Sequence, residues 1–157
     1  MNRRSMLAVV PAGVALIAGT AIAQQPADAE GVKAASKAFY TALAVMDNGE
    51  AMDKVWAHTP YVTYVGPRSK SITVGWDAQK KYWEDTNKAF SQRNVTLAQQ
   101  HIHTVGNLAW EIGQETGELK MKDGTAMKAD YLVTNVYEKQ SDGRWLIVHH
   151  HVQPKPV

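Results

Sequence analysis

Between Gly31 and Met46 the apolar residues Val32, Ala35, Phe39, Ala42, Leu43 and Met46 recur at spacings of three and four, one stripe of an amphipathic helix. Asp47-Asn48-Gly49 ends that helix, with Gly49 suited to the left-handed closing position. A short helix over Glu50 to Trp56 follows. Pro60 then opens an extended segment, Tyr61 to Val65, which Gly66-Pro67 turns, and Ile72 to Val74 predicts a second short strand. Trp76 to Phe90 predicts a third helix, with Trp76, Lys80, Trp83 and Asn87 along one stripe. After it the period falls from about 3.6 to 2. Val95 to Val105, Leu108 to Leu119, Met127 to Glu138 and Trp145 to Val152 predict four strands. Gly106-Asn107, Lys122-Asp123-Gly124 and Ser141-Asp142-Gly143 supply the turns between them. The Pro-Lys-Pro tail cannot continue a ladder.

Helices first and a long antiparallel meander afterwards describe an α+β domain. Strands of about ten residues twist and curl. A curved sheet of about six strands wrapped on three N-terminal helices would form a cone whose mouth suits a pocket. The last strand, WLIVHHHV, is the most informative segment. Strict alternation puts Trp145, Ile147, His149 and His151 on one face and Leu146, Val148, His150 and Val152 on the other. Both faces begin apolar, so burial on both sides is expected, against helices on one face and a partner on the other.

The start of the chain changes the picture of charge. Arg3 and Arg4 precede an apolar run from Met6 to Ile22, and Ala21-Ile22-Ala23 is a small-x-small cleavage site, so residues 1–23 read as a signal peptide. Paired arginines also occur in twin-arginine export, whose fuller motif is absent. Cleavage leaves residues 24–157 as one domain, with 15 basic against 15 acidic residues. A near-neutral chain without a basic run offers no footprint for nucleic acid or anionic lipid. The chain has no cysteine, so an oxidising compartment poses no thiol hazard, and five tryptophans and six tyrosines supply packing instead. A bacterial periplasm or the exterior is the expected location.

Several stretches together resemble a known family. Asn48-Gly49-Glu50, Gly75-Trp76-Asp77, His101-Ile102-His103-Thr104-Val105-Gly106, Asp142-Gly143-Arg144-Trp145 and Val148-His149-His150-His151 resemble the NTF2-like, or SnoaL-like, cone proteins. Within that group the likeness is to the association domain of calcium/calmodulin-dependent protein kinase and its free-standing bacterial relatives, over about residues 30–154. The resemblance implies a homodimer or larger ring through the outer sheet face, and a pocket inside the cone. It implies no single activity, because the fold hosts enzymes, binding proteins and assembly domains. Two positions where the kinase domain carries pocket arginines fall near Thr116 and Asn135, which are uncharged. The tyrosine and aspartate of ketosteroid isomerases fall near Ala42 and near Thr63 or Tyr64, so that mechanism lacks its base here.

The candidate ligand-binding residues are Tyr40, Tyr64, Trp76, Trp83, Asn135, His149 and His151, around a small, mostly apolar molecule. If the protein is an enzyme, His149 or His151 would act as acid or base in a lyase, isomerase or hydrolase step without an organic cofactor. A ligand-free assembly module is the third reading. The pairs His101/His103 and His149/His151 have metal-ligand spacing, but with two strands between them three spacings of about 4.8 Å hold them roughly 14 Å apart, so no metal site is expected. Glu111, Glu115 and Asp130 are expected on a solvated sheet edge.

Overall fold

The computed structural model describes residues 26–156. The predicted signal segment, residues 1–23, lies outside them. The chain forms α1 (Pro26–Ala44), α2 (Gly49–Asp53), β1 (Thr63–Val65), β2 (Thr73–Val74), α3 (Trp76–Asn87), β3 (Phe90–Val105), β4 (Leu108–Met121), β5 (Ala126–Lys139) and β6 (Trp145–Pro154). The six strands make one sheet in the order β2-β1-β6-β5-β4-β3. Its long strands are a simple antiparallel meander, but β1 joins β6 in parallel, with Thr63 opposite His149. Turn chemistry announces hairpins, and this parallel junction has no such local signal. Pro154, expected outside the ladder, is the last residue of β6 opposite Tyr131, and the amide of Lys155 carries the contact on to the Asp130 carbonyl at 3.1 Å.

The helices pack on the concave side of this sheet. Val32, Ser36, Phe39, Tyr40 and Leu43, the inward stripe of α1, are all buried. Phe39 is fully buried and meets Trp56, Trp83 and His150 with ring centroids 6.3, 6.4 and 5.1 Å away. Burying one such ring is worth about 2–3 kcal/mol. Curvature has a local cause at Gly117 in β4. A Cβ there would lie 1.8 Å from the carbonyl oxygen of Asn94, so only glycine lets β3 close on β4 at that bend.

A bulge in β6 overturns the expected division of its faces. Val136 pairs with His149 but Tyr137 pairs with Ile147, so Val148 is an extra residue. Trp145 and Ile147 face inward before the bulge; His150 and Val152 face inward after it, while Leu146, His149 and His151 are less buried on the outer side. One inserted residue exchanges the two sets of side chains.

Candidate functional site

Across the concave face, ladder partners line up Ile102, Glu111, Asn135, His150 and Tyr64 on five adjacent strands. A chain of hydrogen bonds runs along this row. Glu111 is fully buried, and its Oε2 accepts from Asn135 Nδ2 at 2.8 Å and from the Tyr137 hydroxyl at 2.7 Å. Gln100 Nε2 donates to the other carboxylate oxygen. Gln100 reaches it because β3 shifts register between Ala98 and His101, with Gln99 in the left-handed region at φ 52°. Because Asn135 spends its NH2 on Glu111, its Oδ1 is left to accept from His150 Nδ1 at 2.7 Å. The His150 ring is then the neutral tautomer with Nε2 as acceptor. Burial, with the neighbouring His149 and His151, pushes its pKa down to about 3, so it stays uncharged. Tyr64 stacks on it, with centroids 5.2 Å apart and planes 9° from parallel.

Beside this row is a cavity of about 90 Å³, whose walls include Tyr64, Trp83, Arg93, Glu115, Tyr131 and His150. Glu115 is 4% exposed, and its Oε1 accepts from the Tyr40 hydroxyl at 3.0 Å. Burial holds its carboxyl up at about 7; the Tyr40 hydrogen bond opposes this, and the charge of Glu111 adds to it. Arg93 is also 4% exposed. Its guanidinium sits 5.2 Å from the Phe90 ring centroid, while Nε and Nη2 have no hydrogen-bond partner among the described residues. No ion pair joins Arg93 to Glu115. Burial lowers the arginine's pKa from its ordinary value, yet an arginine remains charged at any ordinary pH. An unpaired buried cation costs several kcal/mol unless an anion or water meets it. Arg68 closes the mouth, its Cζ 5.8 Å from the same Phe90 ring.

A larger groove, about 660 Å³, opens between α1 and β3 along Lys33, Lys37, Thr41 and Leu97. Its cations are solvated, and the Tyr40–Glu115 pair with Val95 walls it from the cavity. The smaller space holds the chemistry.

Among the sequence candidates, Tyr64 and Trp83 line the cavity, and Tyr40 supports it through Glu115. Asn135 is buried beneath it in the network. Trp76 stands apart, stacked on His58 at 4.4 Å. His149 and His151 face outward, the former hydrogen-bonded through Nδ1 to Thr63 Oγ1 at 2.7 Å. His150 takes the inward place. Glu111 and Glu115, expected in solvent, are buried because inward positions of β4 face the helices; Asp130 is exposed as expected. Arg93 was missed because β3 was begun at Val95. Phe90, five residues earlier, already carries the inward pattern, and a second register shift lets Arg93 share it. No group of three or more metal-ligating side chains occurs among the described residues, and no helix there is long and apolar enough to cross a membrane.

A family model described as the SnoaL-like domain matches residues 32–153. No curated protein matches the chain in sequence. Among solved structures, one from Thiobacillus denitrificans, described as a calcium/calmodulin-dependent protein kinase type II association domain, is 27% identical with a TM-score of 0.67, covering 79% of this chain and 94% of its own. A second such association domain, from Xanthomonas campestris, is 25% identical with a TM-score of 0.68, covering 90% and 99%. A dehydratase-type protein of the NTF2-like family from Streptomyces avermitilis is 20% identical with a TM-score of 0.73, covering 85% and 100%. At that identity it shows the common fold and nothing of activity.

Proposed function

The chain belongs to the SnoaL-like family, and from that premise we propose that it binds a small, mostly apolar molecule carrying one acidic group inside its cone. One observation carries this reading: Arg93, buried in an aromatic-walled cavity, has donor nitrogens that no described residue meets. A ligand carboxylate would accept from those nitrogens, while Tyr64, Trp83 and Tyr131 would hold its apolar body. A space of about 90 Å³ holds about three waters, so a larger guest needs Arg68 and Pro67 at the mouth to swing out.

The test is calorimetric titration with a panel of aromatic and short aliphatic carboxylates beside their amides. At least one acid should bind, and Arg93→Met should weaken it at least tenfold while stabilising the empty protein, because an unpaired buried charge is gone. Equal binding of acids and amides would sink the reading.

A second reading is an enzyme. The observation favouring it is the Glu115 carboxyl, held up at about 7 and hydrogen-bonded to Tyr40, which is suited to moving a proton near neutral pH. Proton transfer is thereby assigned to Glu115 rather than to His149 or His151, which lie on the outer face.

We further propose export of residues 24–157 to the periplasm or exterior, and self-association as a homodimer or larger ring through the outer sheet face. The export reading rests on the Arg3-Arg4 start and the Ala21-Ile22-Ala23 site. Self-association is supported by the exposed apolar residues of that face and by likeness to structures described as association domains.

A further inference from the structure

The outer face of the sheet has an order that the cavity does not use. Ladder partners form one row of His103, Trp110, Val136 and His149, and beside it a row of His101, Ile112, Thr134 and His151. Each row is apolar or uncharged in its middle and closed at both ends by a histidine. Above lies Val105, Leu108, Glu138 and Leu146; below lies Ala98, Gln114, Leu132 and Gln153. Val105, Leu108, Trp110, Ile112 and Leu132 are each at least 38% exposed, a contiguous apolar surface with no cover. Its four strands and four rows span roughly 500 Å². Two copies would bury about 1,000 Å², the lower limit for a stable interface.

Few other charges face these histidines. Glu138 on β5 is engaged by the Tyr61 hydroxyl at 2.7 Å, and Asp130 by Gln114 at 2.6 Å. Glu118 and Lys120 of β4 and Lys128 of β5 lie farther along the strands, beyond the Asp130 row. The neighbouring β1 contributes only Thr63 and Val65, and β2 only Val74. Partial burial already lowers the pKa of His149, with the charge of His151 adding to the effect.

We propose that this face is a pH-gated self-association surface: a second copy docks on it while His101, His103, His149 and His151 are neutral, and leaves when they are charged. The inference rests on the self-association reading above. Its occupant is another copy because the face is apolar between like histidines, so it complements itself only when they are uncharged. Docking takes the imidazoles out of water and penalises the charged form, so association is favoured while they are neutral and is lost as falling pH loads them with protons. A factor of about two per imidazole, compounded over the eight of a dimer, is about 250-fold in affinity.

The experiment is sedimentation equilibrium of the protein at pH 8, 6 and 5 at constant salt, with tryptophan fluorescence to establish that the chain stays folded. An associated species at pH 8 should dissociate at least a hundredfold more readily at pH 5. A variant with His101, His103, His149 and His151 all changed to Gln should remain associated at both. A folded monomer at pH 8 would overturn the self-association reading itself. Association of equal strength at pH 8 and 5 would leave that reading standing and overturn the histidine gate alone. In Glu115→Gln the transition should persist; its loss there would assign the effect to the cavity and overturn the gate. Should the fourfold variant misfold, His149→Gln with His151→Gln should recover at least a tenfold share of the affinity lost at pH 5, and no recovery would count against the gate.

Discussion

The two faces of one sheet handle ionisable groups in opposite ways. The concave face buries Glu111, Glu115, Arg93 and His150, each at 4% exposure or less. There neighbours set the proton positions of Glu111, Glu115 and His150, Arg93 keeps two donors unmet, and the pKa values of Glu115 and His150 are driven far from their ordinary values in opposite directions. The convex face carries four histidines at the rim of an apolar patch, where water still reaches them. Inside, charge is fixed by geometry and held as a local cost to stability; outside, the imidazoles remain open to solvent. β6 supplies both faces from three consecutive histidines, and the bulge at Val148 decides which ring goes where.

The most direct way to break the comparison is at Glu111. Glu111→Ala would strand the buried Asn135 and Tyr137 donors in the interior and should cost about 3–5 kcal/mol in urea unfolding. A loss under about 1 kcal/mol would mean that the concave network is not the rigid frame described.

Next is the pH dependence of stability, where the signs differ by residue. Glu115 is raised from 4.5 to about 7, so its stabilising proton is held below that range and stability falls as pH rises from 4.5 to 7. His150 is lowered from 6.5 to about 3, so stability falls as pH drops from 6.5 to 3. The slopes oppose each other between 4.5 and 6.5, and unfolding free energy should be nearly flat there and decline on either side by up to a few kcal/mol. Glu115→Gln should remove the upper decline and leave a curve that climbs with pH to 6.5 and then levels. A wild-type curve that keeps rising through pH 7 would contradict the burial of Glu115.

The smallest effect belongs outside. Replacing His101 or His151 by Gln in a dilute, dissociated sample should change stability by under about 0.5 kcal/mol, since these side chains lack the concave network. A larger loss would show that the convex face contributes to the fold of a single copy.

Much of this architecture was legible in the sequence. The helical stripe of α1, the three turn sequences of the meander and the α+β order came from periodicity and turn chemistry, because those are local signals. The candidate site was only half legible. Tyr64 and Trp83 stood out as aromatics beside apolar runs, and Asn135 as a polar residue inside one. Arg93, Glu111 and Glu115 did not, because a charged residue reads as solvated wherever the sequence gives no sign of the partner or cavity that shelters it. Strict alternation groups His149 and His151 with Trp145 and Ile147, and a bulge that separates them leaves no mark in a run such as Ile147-Val148-His149-His150. Phe90 to Asn94 could have been read as strand, had Phe90 been taken as the inward residue that starts it.

The parallel seam of β1 on β6 has a kinetic consequence. β3 through β6 can assemble hairpin by hairpin, each turn closing only a few residues of chain. Thr63 meets His149 across a separation of 86 residues, and the ring of Tyr64 can settle on His150 only when that long loop has closed. The aromatic floor of the cavity therefore waits on a long loop that the meander itself does not need. A chain caught before that step would hold a finished meander whose His150 ring still lacked its Tyr64 cover.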